Sequence, residues 1–307
     1  MNVEILKTIE SRGAIPSLPN IVLRLIEVTN DPNFKQADVV KLLSTDPGIV
    51  TDLLRLANSS LFGGRQKITS LADAFTRLGV RRVRTLIVGR SMISCISNDR
   101  SILVDTSYFW RRSLATAVLA SRFASKLAPD SRDQAFLGGL LCDVGVIVLS
   151  RAYPDKYEVA ARNYAPLAGD GFISQEVELV GITHAEVSAE ALRQWMLPPE
   201  LADAIRLHHT ENPAGVAPGV ATIARIINGG SDIARLLCEV AKPAKIAGVC
   251  RTAMAHVGLP TAALAELLPT VESDISELAA ALRVDVIPSR VYRILAEGMA
   301  EQLAAAG

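Results

Sequence analysis

The sequence predicts an all-α protein, a multi-helix bundle, on three observations. Half of the 307 residues are apolar but only 5% are aromatic, and the apolar set is mostly Leu, Ala, Ile and Val, which suits packed helices better than a β-sandwich. Apolar residues recur at helical spacing, as in Val22, Leu25 and Ile26 and again in Val39, Leu42 and Leu43, while alternating strand patterns are scarce. Helix-start signals punctuate the pattern. Asp46 before Pro47 reads as an N-cap with proline at the first helical position, and Ser70 to Asp73 and Thr183 to Glu186 each fit a capping box.

A chain of this length buries a sizeable core and holds one large domain or two modest ones. The best division is the polar stretch NDRSILVDT, Asn98 to Thr106, which follows a long apolar helix and precedes the next, Ser107 to Leu127. It separates an N-terminal helical subdomain of about residues 1–100 from a second of about 101–307. The loop TENPAGVAP, Thr210 to Pro218, stops a helix without opening a new domain. From Ser273 to Ala306 the pattern reads as two further helices. No repeat of fixed period and no low-complexity segment is present.

Charges balance at 32 basic and 32 acidic side chains, so no global field draws the chain to nucleic acid or to an anionic membrane. Cys95, Cys142, Cys238 and Cys250 are far apart without CxxC spacing, which favours free thiols and a reducing cytoplasm. The start, MNVEILKTIESRG, has no basic-then-apolar leader, and the apolar runs are read as stopping short of the roughly 20 residues that a membrane span needs. A soluble cytoplasmic protein is the expectation.

One stretch breaks the apolar pattern. LGGLLCDVGVIVLS places Asp143 inside an otherwise apolar run with Cys142 before it. A buried carboxylate without a partner is costly, as are His184, His208, His209 and Asp232 in their contexts, FLGGLLCDVG, THAEVSAEALRQWMLPPELADAIRLHH and IARIINGGSDIARLL. In this order these motifs resemble the HD superfamily of metal-dependent phosphohydrolases, and more narrowly its HDOD branch, the HD-related output domain of bacterial signalling proteins. The front of the chain, SLPNIVLRLIEVTNDPNFKQADVVKLLSTDPGIVTDLLRLANSSLFG with ITSLADAFTRLGVRRVRTLIV, is similar to that family's N-terminal helices. FWRRSLATAVLASRFA resembles its central helix, and VGLPTAALAELLPTVESDISELAAAL its C-terminal end. The resemblance covers residues 14 to 285 and implies an HDOD module with an HD-like helical core.

In active HD enzymes the resemblance implies a central-helix His, an adjacent His-Asp pair and a later Asp that bind one or more divalent metals. Here the central-helix position is Arg112, and the pair reads Cys142-Asp143. A guanidinium stays protonated and has no lone pair for a metal, and a lone soft thiolate suits an oxygen-rich Mn or Mg site poorly. No metal is expected; if one binds, its ligands would be Asp143, His184, His208, His209 and Asp232. Arg112 is instead the expected partner of Asp143.

Each of these residues also has a structural reading. His184 follows an N-cap threonine and fits a first-turn surface or core-edge position equally well. His208 and His209 end a helix opened by Pro198 and Pro199, where histidine commonly satisfies terminal carbonyls. Asp232, after Gly229, Gly230 and Ser231, reads as a helix N-cap. Cys142 in the middle of an apolar helix reads as an inert small hydrophobe, which disfavours a Cys-His nucleophile. No GxxxxGK, GxGxxG or GxSxG loop is present. Arg77, Arg81 and Arg84, spaced for one helical face with Arg55, Arg65 and Lys67 nearby, are candidates for phosphate or partner binding, with a solvated face as the commoner explanation.

The function that follows is a non-catalytic bacterial regulatory module with a degenerate HD metal site and no cofactor. Its expected partners are other signalling proteins in trans, with a small ligand or cyclic dinucleotide as a further possibility. Nucleic acid and membrane are disfavoured. The groove between the N-terminal helices and the HD-like bundle is the natural binding place. The alternatives are a divergent metal-dependent phosphohydrolase and a nucleotide or nucleic-acid-binding regulator working through Arg77, Arg81 and Arg84.

Overall fold

The computed structural model describes residues 3–62, 66–97, 102–164, 171–210, 213–238, 243–284 and 298. Among these residues the regular structure is helical throughout. The first five helices are α1 (Val3–Ser11), α2 (Asn20–Asn30), α3 (Gln36–Leu43), α4 (Pro47–Ala57) and α5 (Leu71–Ser97). The centre is built from α6 (Thr106–Leu127), a 3₁₀ turn (Pro129–Ser131), α7 (Arg132–Leu141), α8 (Val144–Ala152), α9 (Pro154–Ala161) and α10 (Phe172–Val180). Then come α11 (His184–Gln194), α12 (Pro199–Arg206), α13 (Pro218–Cys238), α14 (Pro243–Val257) and α15 (Thr261–Leu282).

The starts obey the capping chemistry read from the sequence. Asp46 accepts hydrogen bonds from the Gly48 and Ile49 N–H groups ahead of Pro47, and Asp105 caps α6 in the same way through Ser107 and Tyr108. Thr183 and Glu186 form a reciprocal capping box at α11. At α5 the Ser70 hydroxyl accepts from the Asp73 N–H, but the Asp73 carboxylate accepts from Thr69 rather than from Ser70.

Helix α6 is the axis of the bundle, with α7, α13 and α15 packed on it. Its buried face carries small residues, among them Ala117, Ala120 and Ala124, and its neighbours meet it at glycines. A Cβ on Gly139 of α7 would lie 2.9 Å from the Ala117 backbone, and one on Gly230 of α13 would lie 3.3 Å from the Thr116 carbonyl. Close approach of three helices therefore depends on side chains that are absent. One apolar cluster runs from Ile5 to Leu282, so the N-terminal helices share the core of the central bundle, α5 packing on α7 and α15 on both α4 and α6. Residues 98–101, in the stretch read as a boundary, lie outside the described residues.

Several sequence expectations are corrected. Pro129–Ala152 contains an 18-residue stretch of mean hydropathy 1.7, long and apolar enough to cross a membrane by composition, because one aspartate is diluted among Leu, Val, Ile and Gly. That stretch is 94% buried and turns at Cys142–Asp143 into two short helices, α7 and α8. No helix begins at Ser273, since α15 runs from Thr261 through Pro269 to Leu282; the later helix of the predicted pair falls on residues outside those described. The arginine face of α5 is interrupted at Gly79, whose φ of 75° and ψ of 162° break the helix between Arg77 and Arg81. Only glycine adopts that conformation cheaply.

Gly145, in the first turn of α8, marks the tightest approach. A Cβ there would lie 2.1 Å from the His184 carbonyl oxygen of α11. Gly145→Ala should lower unfolding free energy in urea by at least about 1–3 kcal/mol, the usual range for overpacking. Gly248→Ala in α14, where the added methyl meets open space, should be neutral or stabilising by up to about 1 kcal/mol. Equal effects of the two would contradict this packing.

Candidate functional site

The turn between α7 and α8 is held from α11. The Ser188 hydroxyl donates to the Cys142 carbonyl at 2.7 Å and accepts from the Gly145 N–H at 2.7 Å, so backbone groups that the helix break would orphan are satisfied. Asp143 thereby sits at the N-terminus of α8, 2% exposed, facing α6, α11 and the residues just after α12.

Four groups surround its carboxylate. Arg112 of α6 places Nε 3.3 Å from Oδ2, a close ion contact without hydrogen-bond alignment, while its Nη2 donates to Ser231 of α13 at 3.1 Å. The guanidinium also lies over the Tyr164 ring, 5.0 Å from its centre, and the Tyr164 hydroxyl donates to Oδ2 at 2.8 Å. Oδ1 lies 3.5 Å from His184 Nε2 and 3.6 Å from His208 Nε2, and neither Oδ1 nor His208 Nε2 has a hydrogen-bond partner. Burial acts to raise the Asp143 pKa, but Arg112, with His184 and His208, outweighs it and holds the carboxyl well below the ordinary carboxylate range.

A second buried carboxylate lies behind His184. Glu176 of α10 accepts from the His184 backbone N–H at 2.9 Å and faces its ring Nδ1 at 2.6 Å, and its other oxygen accepts from the Tyr157 hydroxyl. The Gly181 left-handed turn, φ 81°, reverses the chain between α10 and α11 and brings these groups together. Burial acts to lower the His184 pKa, yet Glu176 and Asp143 raise it to about 9. His209, 2.9 Å away through Nε2, is held well below the imidazole range by burial and by His208 and His184. The shared proton therefore resides on His184, which donates to Glu176 on one side and His209 on the other. His208 fixes its own tautomer by donating from Nδ1 to the Ile205 carbonyl at 2.6 Å.

Four of the five sequence-named metal candidates, Asp143, His184, His208 and His209, thus converge, each offering a ligand atom within 4.8 Å of the others. Asp232 is outside that set. It sits inside the unbroken α13, so the N-cap reading is corrected: helical hydrogen bonding continues through Gly229 and Gly230. Burial raises its pKa, with Arg235 and Arg112 opposing. The Cys142 side chain points to the Gly139 carbonyl at 3.5 Å, and burial followed by Asp143 raises its pKa well above the thiol range, so it is a protonated core thiol. All four cysteines are free. The three arginines scatter: Arg77 pairs with Asp73 at 2.7 Å, Arg84 donates to Asn30 at 2.7 Å, and only Arg81 and Arg84 share a cavity.

Sequence reasoning missed Glu176, Tyr164, Ser188 and Ser231. Glu176 lies in ISQEVELV, a pattern that reads as an ordinary amphipathic helix, and nothing local says that its face turns inward. The glycine of LCDVG was a usable signal for Ser188, because a helix that crosses that closely must bring its own polar partner.

An all-helical bundle with an Asp and three His gathered between its central helix and the following hairpins defines an HD-type domain. The HDOD domain profile matches residues 15–211, and the chain belongs to the HDOD family. Its fold is shared by a candidate phosphohydrolase from Shewanella amazonensis, 22% identical with a TM-score of 0.72 over 91% of this chain and 98% of that one. An HDOD domain protein of unknown function from Geobacter sulfurreducens aligns at 22% identity and a TM-score of 0.67, covering 91% and 99%. A candidate signal transduction protein from Marinobacter aquaeolei gives 24% and 0.58, covering 93% of this chain and 60% of that one. At these identities the likeness is one of fold. An uncharacterized Treponema pallidum protein is 30% identical over 224 residues, 68% of this chain and 41% of that protein, so the chain spans less than half of that curated relative.

The His184 assignment has a pH signature. Its pKa is raised from 6.5 to about 9 on folding, so its contribution to stability is complete below about pH 6.5 and is lost as pH rises through about 9. Urea unfolding of chelator-treated protein should show stability falling across that window, with the fall reduced in Glu176→Gln. Identical profiles for wild type and variant would contradict the proton placement.

Proposed function

We propose that this chain is a non-catalytic signalling module of the bacterial cytoplasm that works through contacts with other proteins, its HD centre held by Arg112 in place of metal. The observation that carries the reading is the buried Arg112–Asp143 contact of 3.3 Å. With His184 protonated, two cations, the partly buried Arg112 and the buried His184, face two buried carboxylates, Asp143 and Glu176. Charge inside the bundle is balanced by side chains alone, and buried charge is tolerated only when matched in this way.

A specific observation favours the enzymatic alternative. Asp143 Oδ1 and His208 Nε2 are buried without hydrogen-bond partners, and with His184 and His209 they form a compact N₃O donor set suited to one borderline divalent ion. Such an ion would supply a water activated at neutral pH. Asp143 cannot also bridge to a second ion, because Oδ2 already meets Arg112 and Tyr164, and Asp232 is not in the set. A two-ion phosphoester centre therefore lacks its ligands here, and a single ion would share the carboxylate with a fixed positive charge.

Metal content separates the two readings. After incubation with Mn, Fe or Zn and dialysis, wild-type protein should retain far less than one ion per chain, and Arg112→His should retain markedly more. Stoichiometric metal in wild type that disappears in Asp143→Ala would overturn the proposal and direct the work to phosphodiester hydrolysis.

A further inference from the structure

A cavity of about 320 Å³ opens between the N-terminal helices and the central bundle, at the small end of the roughly 300–1,000 Å³ typical of small-molecule sites. Helix α5 contributes Arg81 and Arg84, the 3₁₀ turn and α7 contribute Asp130 and Gln134, and the approach to α12 and α12 itself contribute Leu197 and Leu201. The charges do not cancel. Asp133, also in the lining, is paired with Arg82 at 2.7 Å, which leaves two arginines against the exposed Asp130.

Neither Arg81 nor Arg84 has an acidic partner within 4 Å among the described residues. Arg84 donates from Nη1 to the neutral Asn30, while Nη2 is shielded from solvent and has no hydrogen-bond partner. Burial lowers the Arg84 pKa, so desolvation is uncompensated there. In the HD centre of the same molecule Arg112 and His184 each meet a carboxylate; Arg84 meets none, and it lines a cavity. A guanidinium with a free edge is the side chain best shaped for a planar or tetrahedral oxyanion.

We propose that this cavity is a binding site for a small organic phosphate, about the size of a sugar phosphate or mononucleotide. Arg81 and Arg84 would hold the phosphate, and Gln134 with the Leu197 and Leu201 surface would receive the remainder. A cyclic dinucleotide is too large to enter whole. The site goes beyond the arginine-for-metal reading and does not depend on it, since none of its residues belongs to the HD centre.

The test is calorimetric titration of the full chain at low salt with inorganic phosphate, ribose 5-phosphate and AMP, with adenosine as the uncharged control. Phosphate-bearing probes should bind and adenosine should not, and Arg84→Gln should weaken binding at least tenfold. Gln removes a charge whose desolvation is uncompensated and gives up the Asn30 hydrogen bond, two opposing effects that should leave the unfolding temperature little changed. Arg81→Gln, at an exposed position, should weaken binding without any effect on folding. No binding of the three anionic probes at millimolar concentration, or affinities unchanged in both variants, would overturn the proposal.

Discussion

A single buried charge organises this protein. Asp143 stands where two short helices, α7 and α8, would otherwise be one long apolar rod, and the chain turns there because α11 supplies the missing hydrogen bonds through Ser188. A carboxylate that is 2% exposed would be expensive alone. Arg112 crosses from α6 to meet it, Ser231 of α13 orients the guanidinium, and Tyr164 closes the remaining side of the same oxygen. Helices far apart in sequence are thus tied to one ionic centre, and the small residues of α6, α7 and α13 set how closely they approach.

The same logic explains the neighbouring histidines. His184 is placed by the Gly181 turn and the Thr183 cap, then held between Glu176 and His209 so that its proton has a defined position. His208 is fixed from behind by the Ile205 carbonyl, as a ligand histidine would be. Four candidate donor atoms are thus held within 4.8 Å of one another, with the Arg112 guanidinium beside them. A site of this kind gives the middle of a helical bundle a stiff, polar hub.

Much of the fold was legible because helical periodicity and caps are local. Asp46, Thr183 and the α6 run behave as their sequence contexts dictate. The pairing of Arg112 with Asp143 was legible as well, since a buried charge demands a partner and the resemblance to the HD family indicated which residue occupies the facing position. What escaped depends on tertiary placement. Glu176 looks like any acidic residue on an amphipathic helix, and Asp232 looks like a cap after two glycines until α13 is seen to run through them. Gly79 hid the break that separates Arg77 from Arg81, because spacing alone cannot tell a continuous helix from two joined at a left-handed residue.

The most direct test of the account is a double-mutant cycle on Arg112 and Asp143, with Arg112→Met and Asp143→Asn measured by denaturant unfolding in the presence of a chelator. Each single change leaves the other partner buried and unmatched, which typically costs about 3–5 kcal/mol, so the double variant should cost far less than the sum of the two. Additive losses, or a wild-type stability that rises markedly when divalent metal replaces the chelator, would show that Asp143 answers to a metal and not to arginine.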